Sequence, residues 1–356
     1  MEQTYVYGDI RTAEPAEAVD GSRLISFFIF NTDVHMHAYA ADGEDPGDPA
    51  VRARLDGALL ACRERCRFFE RTFSRTRPDS DIARAHAASP RPVTVRPETA
   101  ELARLALGYC AGSEGLFDIT MGTVTSLWDF HKGVVPGALA LSRALPHVGF
   151  DRVVLGETDA GEPTLAISDP QTIMDLGGVA KGYIADDLAR VMGERGVSRL
   201  VINLGGNVLV RGGRAADPAA RPEVLAGEPW RIGIVNPRDP AHYRAIVDVA
   251  DGSVVTSGVH ERRFTRGGVT YHHILDPRTG MPARTDAASA TIVATRSMDC
   301  DGWSTTALML GVERGIDFVE GIEGVEAVII GDDDEVRWTS GIGDALSLVP
   351  TLPRLR

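Results

Sequence analysis

The sequence predicts an α+β fold, on three observations. Helical periodicity appears in a few separated segments, whereas strand-like runs are short and crowd the second half of the chain. No strand–helix–strand unit recurs, which argues against a doubly wound sheet. Glycines and prolines fall between elements and never collect in one linker, so two closely packed lobes within one domain are expected. That domain is read as residues 23–356, preceded by an acidic, turn-rich arm at 1–22 that is expected to be loose.

Leu24–Phe30 is a short apolar run that reads as a strand, and the partly alternating Val34–Ala40 is its pairing partner. Val51–Phe73 carries Leu55, Leu59, Cys62, Cys66 and Phe69 at helical spacing. Pro97–Cys110 is a second helix with proline in its first turn. Short strands are expected at Val153–Leu155 and Thr172–Asp175, then a helix at Val179–Arg195. Strands follow at Leu200–Asn203, Asn207–Arg211, Arg231–Val235, Ala245–Val249, Val269–Leu275 and Ala287–Thr295. A helix at Cys300–Leu310 and a strand at Val325–Ile330 complete the pattern.

The 356 residues are 44% hydrophobic and 24% charged, values of a globular enzyme and not of a coiled coil or a disordered chain. With 37 Lys and Arg against 50 Asp and Glu, the formal charge is -13. The arginines read as scattered among acids, which argues against a nucleic-acid partner. Cys62, Cys66, Cys110 and Cys300 form no CxxC and read as buried thiols of a reducing compartment. No basic and apolar signal region, lipid-attachment cysteine or membrane-length apolar run is visible, so a cytoplasmic protein is expected.

Four segments concentrate polar residues and glycines. Gly115–Gly122 sets Phe117 and Asp118 between glycines, as a ligand loop or a capped turn. Ile173–Tyr183 runs from Asp175 through Gly177-Gly178 into a helix with Lys181 in its first turn. That suits an anion, because helix-start amides point outward. A lysine there opposes the macrodipole and hints at a ligand, although a solvent lysine after a tight turn reads equally well. In the third, Thr256-Ser257-Gly258 is followed by Tyr271–Gly280, where His273 suits a general base, a zinc ligand or a hairpin hydrogen bond. In the fourth, Asp301 and Thr305 stand four apart on a helix, a carboxylate and hydroxyl pair suited to Mg2+ but common by chance.

The ordered set of motifs resembles the FAD:protein FMN transferase, or ApbE-like, family. It includes Phe73-Ser74 with Pro78-Asp79-Ser80, Gly115–Gly122 with Leu127-Trp128, and Val148-Gly149-Phe150. It continues through Asp175–Tyr183, Asn203–Asn207, Thr256-Ser257-Gly258 with Glu261-Arg262, His273–Pro282 and Asp301–Gly311. The resemblance implies a T-fold-like, two-lobed α+β domain with a flavin cleft between the lobes. It further implies that FAD contacts Leu116, Phe117, Asp118, Asp175, Lys181, Ile274 and Thr76. Mg2+ would be held by Asp301, Thr305 and the Gly178 carbonyl, with His273 and Lys181 as catalytic residues. The implied activity is Mg2+-dependent transfer of FMN from FAD to a Thr or Ser hydroxyl of an acceptor protein, releasing AMP. The acceptor would carry an Asp-x-x-[Ser/Thr]-[Gly/Ser]-Ala-Thr-like segment. An FAD pyrophosphohydrolase and a flavin-binding protein without turnover are the alternatives.

Departures from the family pattern fall in ligand-facing loops. Phe30-Asn31-Thr32 replaces Met-Gly-Thr, Ser74-Arg75-Thr76 replaces Ser-Thr-Tyr, His86 replaces Asn, and Val259-His260 replaces Asp-Tyr. Gly302 suggests that the last helix begins later than drawn. Asp286–Thr291 resembles the acceptor segment but falls in a predicted core strand, which argues against self-modification.

Overall fold

A computed structural model describes residues 10–214 and 228–353. Its centre is a nine-stranded sheet in which every neighbouring pair is antiparallel. From one edge the strands are Ala16–Glu17, Arg23–Ile29, Thr32–Tyr39, Arg199–Leu204, Asn207–Arg211, Gly252–Gly258, Ala287–Ala294, Val325–Gly331 and Val336–Trp338. Helices cover one face. Pro49–Phe73 packs on the first hairpin and against the helix Ala180–Glu194, called here the lysine helix. Ser297–Leu310, the aspartate helix, crosses the lysine helix and lies on Gly252–Gly258 and Ala287–Ala294.

Strand alternation sorts the side chains into separate cores. Val255, Ile292 and Ile329 join a cluster under the aspartate helix. Their neighbours Val254, Val328 and Ile330 point the other way, against the small sheet of Trp230–Val235, His242–Val249 and Leu346–Pro353. A larger cluster joins Pro49–Phe73, the lysine helix and the first hairpin. The two helix-side cores face each other across a cleft, so the architecture is α+β, and among the described residues no strand closes a barrel.

Several expectations change. Residues 10–22 are not loose: Ala16–Glu17 pairs with Arg23–Leu24, Ala13 is buried, and Arg63 donates to the Ala13 carbonyl. Residues 1–9 of the arm lie outside the described residues. Thr172–Asp175 is not a strand but a single bridge between Met121 and Ile173. Gly252–Gly258, central in the sheet, gave no strand signal because glycine and Ser-Thr pairs break its alternation. The aspartate helix begins earlier than expected, at Ser297. Gly302 sits inside it because the Tyr109 ring packs where a Cβ would lie, 2.6 Å away. The four cysteines are buried and unbridged, as read from the sequence. No helix among the described residues is long and apolar enough to cross a membrane.

Candidate active site

A cleft of about 690 Å³ opens between the two helix-side cores. Its floor is the crossing of the lysine and aspartate helices. Gly182 makes that crossing possible: a Cβ there would lie 2.4 Å from the Ser297 carbonyl oxygen. The helices then cap each other. The Gly182 N–H donates to Asp301 Oδ2 at 2.8 Å, and Asp186 accepts the N–H groups of Ser297 and Met298, both at 2.9 Å. Two carboxylates thus satisfy helix-start amides that would otherwise be orphaned.

Asp301 is only 4% exposed. Burial pushes its pKa up, while Lys181 and the Gly182 amide pull it back. Thr305 lies one turn along the same helix, its Oγ1 3.3 Å from Ser257 Oγ. Asn207, 1% exposed, also lines the cleft. Ser297 donates to its Oδ1 at 2.8 Å, and Ser253 Oγ stands 2.9 Å behind Ser297 Oγ. This chain fixes the amide with Nδ2 unpartnered.

The donor set fits a hard cation: one carboxylate, the Thr305 and Ser257 hydroxyls, and the exposed Gly177-Gly178 turn beside them. Among the described residues no group of three His, Cys, Asp or Glu gathers at one point. A lone carboxylate with neutral oxygens suits Mg2+ completed by water and substrate phosphate, and a buried carboxylate such as Asp301 favours a cation beside it. The orphaned Asn207 Nδ2 is no metal ligand but a hydrogen-bond donor for a water or phosphate oxygen of that shell.

Leu116 and Phe117 enter the cleft from a loop that ties the two cores together, Leu116 packing on one and Phe117 belonging to the other. The Phe117 ring lies 3.0 Å from where a Gly178 Cβ would be, so glycine there lets the ring meet the backbone. Asp118 lines the cleft, but its oxygens are engaged: Oδ1 takes the Thr120 N–H at 2.7 Å and hydroxyl at 2.6 Å, and Oδ2 the Phe150 N–H at 3.0 Å. Burial raises its pKa against those bonds. Asp175 caps the Gly177 N–H at 2.9 Å and faces Arg75 at 3.4 Å. Thr76 is exposed and not among the cleft residues, whereas Ser74 and Arg75 are.

His273 and Ile274 form the opposite wall. Burial, with Arg262 beside it, pushes the His273 imidazole down to about 4, so it is neutral at pH 7. Its buried Nδ1 has no hydrogen-bond partner. Lys181 and Glu261 also line the cleft. Enclosure raises the Glu261 pKa although the residue is open to the cleft, and Lys181 and Arg262 oppose that rise.

Sequence reasoning missed Asn207 as an orphan donor, and missed Asp186 and Glu261. Glu261 stood in a quoted motif, so its place was available; Asp186 carried no local signal. The departures noted above also find places. Phe30 and Asn31 form a two-residue turn with φ of 56° and 57° at the cleft edge, and Thr32 after it presses on Gly205. His86 accepts the Met174 N–H at 2.8 Å, steadying the segment that leads to Asp175. Ser289 and Thr291 of the acceptor-like segment are fully buried in a sheet strand. A second depression, of about 590 Å³, lies behind the lysine helix. Its polar groups are already engaged, Arg190 with Asp187 and Glu194, Tyr183 with Glu101, and Asp186, Arg211 and Asp251 with backbone groups, so it offers less to a ligand.

Known proteins share this sequence pattern and this fold. A sequence model described as the ApbE family matches residues 30–329. The FAD:protein FMN transferase of Treponema pallidum is 35% identical over 286 residues, covering 79% of this chain and 78% of that protein. That of Klebsiella pneumoniae is 32% identical over 271 residues, covering 74% and 72%. The crystal structure of the ApbE protein of Thermotoga maritima superposes with a TM-score of 0.75 at 25% identity, covering 90% of this chain and 97% of that one. The chain belongs to the ApbE family.

Proposed function

We propose that this protein transfers FMN from FAD to a Thr or Ser hydroxyl of an acceptor protein and releases AMP, with Asp301, Thr305 and the Gly178 carbonyl holding Mg2+. The observation that carries this reading is the pairing of Asp301 with the Gly182 N–H beside Lys181. It sets a cation and a carboxylate at one helix start inside a cleft that also holds His273. When bound, the metal ion supplies charge neutralisation at the pyrophosphate.

Lys181 neutralises a second share of the pyrophosphate charge, and the helix-start amides add to it. Phe117 and Leu116 contact the flavin side, and Asp118 holds their loop. Asp175, tied to Arg75, and Ile274 line the same binding path. The acceptor oxygen attacks the FMN-side phosphorus and forms a P–O bond as the anhydride bond to AMP breaks. The electron pair leaves with AMP and the hydroxyl proton passes to His273. An imidazole this weakly basic accepts the proton late, once the new P–O bond has acidified the hydroxyl, which suits a loose phosphoryl-transfer transition state.

The test is intact-protein mass spectrometry of a short acceptor domain bearing the Asp-x-x-[Ser/Thr]-[Gly/Ser]-Ala-Thr segment, incubated with enzyme, FAD and Mg2+. An FMN-sized adduct is expected, absent with EDTA and with Asp301→Ala. FMN and AMP released without an adduct identify a hydrolase; intact FAD identifies a binding protein.

A further inference from the structure

We propose that the hairpin Arg263–His272 is where the acceptor protein docks, by adding an extended, acidic segment along the outer edge of Val269–His272. The proposal rests on the transferase reading. Transfer to a protein requires a polypeptide hydroxyl to reach the cleft, and this hairpin ends one residue before His273.

The strands Arg263–Arg266 and Val269–His272 pair only with each other among the described residues, so the second keeps an open edge. The two-residue turn Gly267-Gly268 fixes which groups lie on that edge. Arg266 and Val269 close the turn as a hydrogen-bonded pair, so pairs alternate from there. Thr265 with Thr270, and Arg263 with His272, are then non-bonded pairs. The His273 N–H bond to the Arg262 carbonyl at 3.1 Å agrees with this phase. The backbone N–H and C=O of Thr270 and His272 therefore point outward, an edge for a further strand that ends at His272, because beyond it the Ala283 N–H donates to the Ile274 carbonyl at 2.9 Å.

The hairpin is held at the cleft mouth by rings. Phe264 and Tyr271 stack at 5.3 Å, and they meet Phe130 at 5.9 Å and Trp128 at 5.8 Å. Phe130 itself lines the cleft, so the edge is continuous with the site. Val269 at the tip and Val134 in the adjoining loop are 52% and 41% exposed, apolar surface for a partner to cover.

Charge specifies the partner. From Arg262 to Arg284 the chain carries five arginines and one acid, Asp276, although its formal net charge is -13. Arg263 and Arg266 are exposed and make no salt bridge among the described residues. Two arginines without a salt bridge on the hairpin favour an acidic segment over a basic one.

The experiment compares the wild type with Arg263→Glu/Arg266→Glu and with Thr270→Pro, which removes an outward N–H and the exposed Thr265–Thr270 hydroxyl bond while sparing the backbone bonds of the hairpin. Fluorescence anisotropy of the labelled acceptor domain used above measures docking in EDTA, where turnover stops. Mass spectrometry measures transfer in Mg2+. Flavin fluorescence titration checks FAD binding and hence the fold. Both variants are expected to bind the acceptor domain about tenfold more weakly or worse and to keep FAD affinity within about twofold. Added salt should weaken acceptor binding to the wild type more than to the arginine variant. Acceptor affinity unchanged in both variants overturns the docking site alone. Docking without transfer by the wild type overturns the transferase reading alone, and no docking by the wild type overturns both.

Discussion

His273 can be tested by its titration. Its pKa is lowered from 6.5 to about 4, chiefly by burial and then by Arg262, so the unfolded chain binds this proton before the folded one does. Stability from this group is therefore full above about pH 6.5 and declines as pH falls toward 4. An NMR titration of the histidine Cε1–H signals should show one resonance, absent in His273→Asn, that stays neutral down to pH 5. Transfer should then show no acid limb near pH 6.5 from this residue; a limb there that vanishes in His273→Asn contradicts the assignment. At this scale, Lys181, His273, Asp301 and Thr305 were legible because each stands beside glycines or other polar residues in a short segment. Asp186 was not: it meets Ser297 across 111 positions, and nothing in its own neighbourhood marks it. Asn207 was quoted only as the start of a strand and the end of the Asn203–Asn207 motif. Its unpartnered amide emerges only when Ser297 is brought against it.

Gly182 decides whether the two site helices can cross. A methyl group there would meet the Ser297 carbonyl at 2.4 Å and the Met298 Cα at 2.8 Å, and backbone cannot swing aside as a side chain can. Gly182→Ala should therefore part the helices, weaken the bonds to Asp301 and Asp186 together, and destabilise the fold by roughly 1–3 kcal/mol. Urea denaturation measures the first effect, and Mn2+ binding by electron paramagnetic resonance the second. Unchanged stability would mean that the crossing relaxes without cost. Elements driven by periodicity were legible, such as Pro49–Phe73 with its regular buried face. Those shaped by contact were not. The aspartate helix tolerates Gly302, which costs about 1 kcal/mol in a helix interior, because the Tyr109 ring stacks on it. Ala16–Glu17 is ordered by pairing with Arg23–Leu24, which no local composition reports.

Across the whole molecule, the cleft lies between two cores that are bridged by the loop at Leu116–Phe117 and by Trp303 of the aspartate helix, which packs against both. Its proposed cation site has a single carboxylate, too few ligands to hold Mg2+ tightly in water. On the proposed function FAD would bring the missing oxygens, so metal and substrate should bind cooperatively, each raising the affinity of the other by the same factor. Saturation at 100 times a dissociation constant stabilises by about 2.7 kcal/mol, which makes the coupling measurable by thermal unfolding. Mg2+ alone should shift Tm little, FAD alone moderately, and both together by more than the sum. Asp301→Ala should keep the FAD shift and lose the increment from the metal. A full Mg2+ shift without FAD would mean that the protein completes the coordination shell by itself, and the pyrophosphate would then bind at a finished metal centre instead of helping to build it.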